Sequence, residues 1–327
     1  MNDEKTFAQP NPEEPADSIP EVPPLAGEYP ALPEARSGLV NEAPLPDSVY
    51  SSRSDGPFPS SPQPWSPAPI DLSLPEDLRA PWGWLDLLLL VLIAIGGIFL
   101  FSVILVIIFS RFGISPSQVQ KSAEYKGVFA VITQTLLSLG LLAYLAAQMR
   151  LRFRQPFWRT IGWRPLDTGL MPRYLAYFAW IVAGFAFSLL ITIASSAFGH
   201  KAQMPIEGLF QNRVSALLLM SMGILIAPVF EETIFRGYIY PVIARSWGVT
   251  ASVLVTGTIF GLLHAPQLWG GWAQIGLLVL VGIVFTLVRA VTKTVLASYL
   301  LHVSYNSFLF LAFLFASGGL RHLPIVH

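Results

Sequence analysis

The stretch APVFEETIFRGYIY, residues 227–240, sets Glu231, Glu232 and Arg236 inside a long apolar region. A charged side chain costs roughly 2.5 to 3.5 kcal/mol at the centre of a bilayer, so three within six residues mark a place where they are used. In a helix, Glu232 and Arg236 stand i,i+4 on one face and can pair, while Glu231 points about 100° away. One carboxylate is thereby committed and one is left free.

The surroundings fix the class. Hydrophobic residues make up 53% of the 327 and charged residues 12%, too apolar a balance for an ordinary soluble protein. The expected fold is all-α, a polytopic transmembrane bundle of about seven to eight helices behind a disordered N-terminal tail. Zero net charge conceals a division, since residues 1–80 carry a balance of −10 and the remainder +10. The chain has no cysteine, which excludes disulfides, cysteine catalysis and cysteine-based metal sites.

Residues 1–80 hold 17 of the 27 prolines and the acidic excess. Such a segment cannot bury enough surface to offset its ordering entropy, so it reads as a disordered cytoplasmic tail, with residues 81–327 as the membrane domain. The runs PEVPPL and PFPSSPQPWSPAP can adopt polyproline II and bind a partner, although a plain spacer is the favoured reading. No basic stretch followed by an apolar core opens the chain, so no cleavable signal peptide is expected.

Apolar runs then predict spans at about 84–109, 127–149, 174–198, 214–246, 250–265, 272–289 and 294–316. Trp82 and Trp84 stand at the start of the first, where interfacial aromatics belong. The fourth exceeds one crossing and must tilt, kink at Pro228 or Pro241, or leave the membrane as a helix. Between the second and third spans lie Arg150, Arg152, Arg154, Arg159, Arg164 and Arg173 against the single acid Asp167. The positive-inside rule makes that loop cytoplasmic, and with it the N-terminus of a multi-pass membrane protein.

Two histidines sit within apolar helices. His264 follows Phe260 by four residues and His302 precedes Asn306 by four, so each pair shares a helical face. Singly, an intramembrane His or Asn is as readily interhelical glue. Depth adds a test: counted from Gly248, Glu231 is 17 residues back and His264 is 16 forward. At 1.5 Å per residue both lie about 25 Å along an antiparallel pair, level with each other. Asn306 is roughly 21 Å of rise past Thr292, with His302 one turn shallower. Such a layer suits hydrolysis: a buried Glu beside a His can hold a water and remove its proton, and a His/Asn pair can donate to the oxyanion.

In this order Glu231-Glu232-x-x-x-Arg236, Phe260-x-x-x-His264 and His302-x-x-x-Asn306 resemble the three motifs of the CAAX prenyl protease and bacteriocin-processing (CPBP, or Abi) intramembrane protease family. The resemblance covers roughly residues 170–316. It implies an intramembrane endopeptidase in which Glu231 and His264 activate water and His302 and Asn306 stabilise the oxyanion. It further implies that Glu232 and Arg236, with Phe260 of the second motif, serve in positioning, substrate contact or structure. Glu231, His264 and His302 also make an acceptable zinc set. No HExxH helix is present, however, and an Asn beside the second His fits an oxyanion hole better than a ligand shell. The favoured reading is therefore metal-independent, with zinc as the alternative. Expected partners are membrane lipid and a membrane-anchored or lipidated peptide, with no nucleic acid. Two other classes compete: a proton- or cation-coupled transporter using the same buried groups, and a non-catalytic scaffold or bacteriocin-immunity protein.

Overall fold

The computed structural model describes residues 73–198 and 204–321. The disorder and the polyproline runs expected of residues 1–72 lie outside the described residues. Seven long helices are present: α1 (Trp84–Arg111), α2 (Ala123–Arg152), α3 (Arg173–Phe198), α4 (Arg213–Trp247), α5 (Val249–Leu263), α6 (Trp272–Thr292) and α7 (Val295–Ala316). Among the described residues there is no strand. Six of the seven are long and apolar enough to cross a membrane; the exception is α5, with 15 residues. That helix rises only about 22 Å. It stops at Leu263, just before His264 and Pro266, so the second motif straddles the helix end, with Phe260 in the last turn and His264 at the cap.

The first helix is apolar all round and most of its side chains face outward, as a helix at the lipid-facing edge of a bundle requires. Inner helices approach one another through small residues. In α5 and α6, Gly257 lies against the backbone of Gly282 and Ile283, and a Cβ on Gly282 would stand 2.9 Å from Phe260 Cδ1. Without a hydrophobic force between helices in lipid, this close approach is what holds α5 to α6. Gly282→Ala is expected to cost about 1–3 kcal/mol by overpacking, read as a lowered melting temperature in detergent. Ser188 of α3 donates to the Tyr305 carbonyl of α7 at 3.0 Å, and Ser215 of α4 to the Ala123 carbonyl of α2 at 2.8 Å.

The fourth helix is not uniform. Two wide π-helical stretches, Met222–Ile226 and Glu232–Ile239, come just before Pro228 and Pro241. Proline cannot donate to the carbonyl four residues back, and in lipid no water replaces that bond, so the turn widens to satisfy the backbone. Of the alternatives open for this helix, tilt, kink or exit from the membrane, the backbone shows a local change of pitch around each proline.

The segment just before α1 is ordered although composition groups it with the tail. A 3-10 turn at Glu76–Leu78 puts Asp77 Oδ2 at 3.1 Å from Arg289 Nη1, and Glu76 Oε1 at 3.0 Å from Arg164 Nη1. Leu78 packs against Tyr240, Ala244 and Val253. Arg245 donates to the carbonyls of Ala80 and Trp82, and the Trp82 ring stacks on Tyr238 at 4.8 Å between centroids. Buried Asp86 accepts from the Gly83 amide and from Gln148, each at 2.9 Å, and also pairs with Arg152. Every basic side chain buried at this end of α4 and α6 thus receives an acceptor.

Candidate active site

The free glutamate stands at a change of pitch. Glu231 ends a short α-helical turn, Ala227–Glu231, and Glu232 opens the second π stretch. The two carboxylates enter the bundle in different settings. Glu232 and Arg236 have fully buried side chains, and Arg236 Nη1 lies 3.0 Å from Glu232 Oε1, the i,i+4 pair expected from the spacing. The guanidinium also donates through Nη2 to the Gly282 carbonyl at 2.9 Å and lies over the Phe260 ring, 4.5 Å from its centroid. Both groups are sealed behind the site; Glu232 meets it through His302, and Arg236 through the Phe260 ring that packs on His264.

The other carboxylate faces two imidazoles. Glu231 Oε1 is 3.9 Å from His264 Nε2, and Oε2 is 3.7 Å from His302 Nε2. Neither gap is a direct hydrogen bond. Each is the separation at which one water, set to the side of the line, can reach both groups. The carboxylate and His264 are 16% and 24% exposed, whereas His302 is only 4% exposed, so the first two form the accessible edge.

Hydrogen bonds at Nδ1 settle the tautomers. His264 Nδ1 lies 2.8 Å from the Phe260 carbonyl, which can only accept, so this nitrogen carries the proton. His302 Nδ1 lies 2.9 Å from Glu232 Oε1 and donates in the same sense. In the neutral rings both Nε2 atoms are then bare acceptors aimed at Glu231.

Asn306 lies one turn beyond His302 on α7. Its Nδ2 donates to the Gly223 carbonyl at 2.8 Å, in the first π stretch of α4, which leaves one amide proton and the Oδ1 atom uncommitted. The structure thus draws Glu231, His264 and His302 together, packs Glu232, Arg236 and Phe260 directly behind them, and ties Asn306 to the adjacent backbone of α4.

Some neighbours are not singled out by sequence. Phe285 of α6 packs on the His302 ring at 4.7 Å between centroids and lies 5.5 Å below the Arg236 guanidinium. Gly223 and Gly282 contribute carbonyls, and Trp163 Nε1 donates to Thr233 Oγ1 at 3.0 Å, beside Glu232. Nothing in an apolar helix separates Phe285 from its lipid-facing neighbours, and backbone acceptors have no residue signature.

As a zinc set, Glu231, His264 and His302 fit in kind, being a carboxylate and two imidazole nitrogens. Their facing atoms stand 3.9 and 3.7 Å apart, with Glu231 between the two Nε2 atoms.

Residues 213–308 match a family model described as Type II CAAX prenyl endopeptidase Rce1-like. The matched span opens with the first residue of α4 and contains all seven motif positions from Glu231 to Asn306. The resemblance drawn from the motif order is thereby borne out at the level of the family. Neither the curated proteins nor the solved structures contain a match to the chain.

Proposed function

We propose that this chain is an intramembrane endopeptidase of the type II CAAX prenyl kind, hydrolysing a peptide bond in a membrane-anchored or lipidated substrate. One observation carries the proposal: Glu231 faces the Nε2 atoms of His264 and His302 across gaps of 3.9 and 3.7 Å inside the helix bundle. The family match over residues 213–308 supplies the reaction class.

In this reading a water sits beside Glu231 and His264 and donates to both, so its lone pair is free to attack the scissile carbonyl. Glu231 takes a water proton as the new C–O bond forms, and returns it to the amine nitrogen when the C–N bond breaks. The oxyanion formed between these steps is stabilised by the uncommitted Asn306 amide proton and by the His302 ring one turn away. Glu232 holds His302 by its Nδ1, and Arg236 holds Glu232. No step passes through a metal ion.

The test uses the full chain in proteoliposomes with a prenylated peptide ending in Cys-aliphatic-aliphatic-X, and mass spectrometry to detect release of the C-terminal tripeptide. Wild type releases it and His264→Ala does not. Wild-type cleavage lost to a chelator and restored by zinc would overturn the metal-free part. If no peptide is cut while Glu231→Gln changes proton-coupled flux, the transporter reading takes over.

Asn306→Ala removes an oxyanion donor and strips the Gly223 carbonyl of its partner. Loss of one such donor lowers kcat by about 10²–10³-fold, and leaving this half-buried carbonyl unpaired costs about 1 kcal/mol. Both effects are expected together, the first in turnover and the second in melting temperature.

A further inference from the structure

We infer that the segment from Arg150 to Arg173, from the last turn of α2 through the loop to the first residue of α3, is a binding surface for anionic phospholipid headgroups. Six arginines lie in this segment against one acid, Asp167, whose carboxylate accepts from the backbone amide of Gly169 at 3.3 Å. Three of the six are consumed within the chain: Arg152 by Asp86, Arg164 by Glu76 at 3.0 Å, and Arg159 by the same carboxylate at 3.8 Å. The other three, Arg150, Arg154 and Arg173, are exposed and have no ion-pair partner among the described residues.

A second observation separates this face from an ordinary solvated one. Large apolar side chains are exposed between the free cations: Leu151 at 81%, Trp158 at 52% and Leu170 fully. The loop that carries them is nevertheless folded. Trp163 N bonds to the Trp158 carbonyl at 2.9 Å, Gln155 N to the Met149 carbonyl at 2.9 Å, and Val295 N at the start of α7 to the Gly162 carbonyl at 2.9 Å. Their outward display is thus held in place by the backbone. In water such a display is unfavourable, whereas at a membrane boundary the apolar groups enter the acyl edge and the guanidiniums lie among phosphates. Guanidinium forks match phosphate oxygens bidentately, and cations beside a membrane favour anionic lipid over zwitterionic lipid. Charge therefore selects the occupant: phosphatidylglycerol or another anionic phospholipid of the leaflet that bears this loop.

The experiment is electron spin resonance on the full chain in phosphatidylcholine bilayers, with spin-labelled phosphatidylglycerol or spin-labelled phosphatidylcholine as the probe. Each basic side chain near an anionic surface contributes about fivefold in association. The wild type is expected to retain phosphatidylglycerol over phosphatidylcholine by at least that factor, with the preference falling as salt rises. The triple variant Arg150→Gln/Arg154→Gln/Arg173→Gln loses it while keeping its melting temperature, because none of the three is paired. Arg111→Gln, at the far end of α1, keeps it. A wild type that does not distinguish the two probes overturns the inference, as does a triple variant that still does. Binding of a polyglutamate peptide to this face, without lipid selectivity, would assign the surface to an acidic protein partner and overturn it equally.

Discussion

Replacing Glu231 by Gln is expected to abolish peptide hydrolysis, with a fall in kcat of about 10⁴-fold, the upper end of what a positioned general base supplies. The amide keeps the size of the carboxylate but cannot accept a water proton at a useful energy. Stability should hardly change. Glu231 makes no direct hydrogen bond to either histidine, the nearest ring nitrogens being 3.7 and 3.9 Å away, and part of its side chain is exposed. The measurement is tripeptide release by the purified variant, paired with its melting temperature in the same detergent. An active Glu231→Gln enzyme would remove the proposed base. An inactive variant that melts many degrees early would show that the glutamate holds the fold, as the scaffold reading requires. Comparing membrane-anchored peptides in cells carrying wild type and Glu231→Gln then identifies the natural substrate as the species that accumulates uncut.

Legibility in the sequence followed the range of the interaction. The seven helices stand where apolar runs put them, yet their ends differ by a few residues. The second begins at Ala123 instead of Gly127 because Ser122 accepts from the Tyr125 amide and caps it, and it continues through polar Gln148 to Arg152. Hydropathy sees the apolar run and misses both the cap and the polar last turn. The fifth helix shows the same effect, stopping at Leu263 two residues before the expected end, so His264 takes its place from a turn. Within the site, the local pairs were readable: Glu232 with Arg236, and the shared faces of Phe260 with His264 and His302 with Asn306. The bond from His302 to Glu232 spans 70 residues and depends on how α7 lies against a π stretch of α4, which no period encodes. Composition also assigned Glu76 and Asp77 to an acidic tail. Their ion-pair partners, Arg164 and buried Arg289, lie far along the chain, and only packing reveals these pairs.

The buried pair behind the site gives the largest stability effect. Arg236→Met leaves Glu232 charged and sealed from water with His302 as its remaining partner, and breaking a buried pair in this way costs about 3–5 kcal/mol. Glu232→Gln is milder, since the guanidinium retains the Gly282 carbonyl and the Phe260 face. The double variant Glu232→Gln/Arg236→Met removes both charges. It should melt above Arg236→Met alone, giving a coupling of about 0.5–3 kcal/mol in the double-mutant cycle. In the proposed mechanism activity should not return with stability, because an amide in place of the Glu232 carboxylate no longer offers His302 Nδ1 the charged acceptor that orients the ring. A double variant that regains both stability and turnover would mean that the pair only fills space. One that regains stability alone separates the two contacts of Glu232, its pairing with buried Arg236 and its hold on His302 Nδ1, with the second serving the proposed reaction.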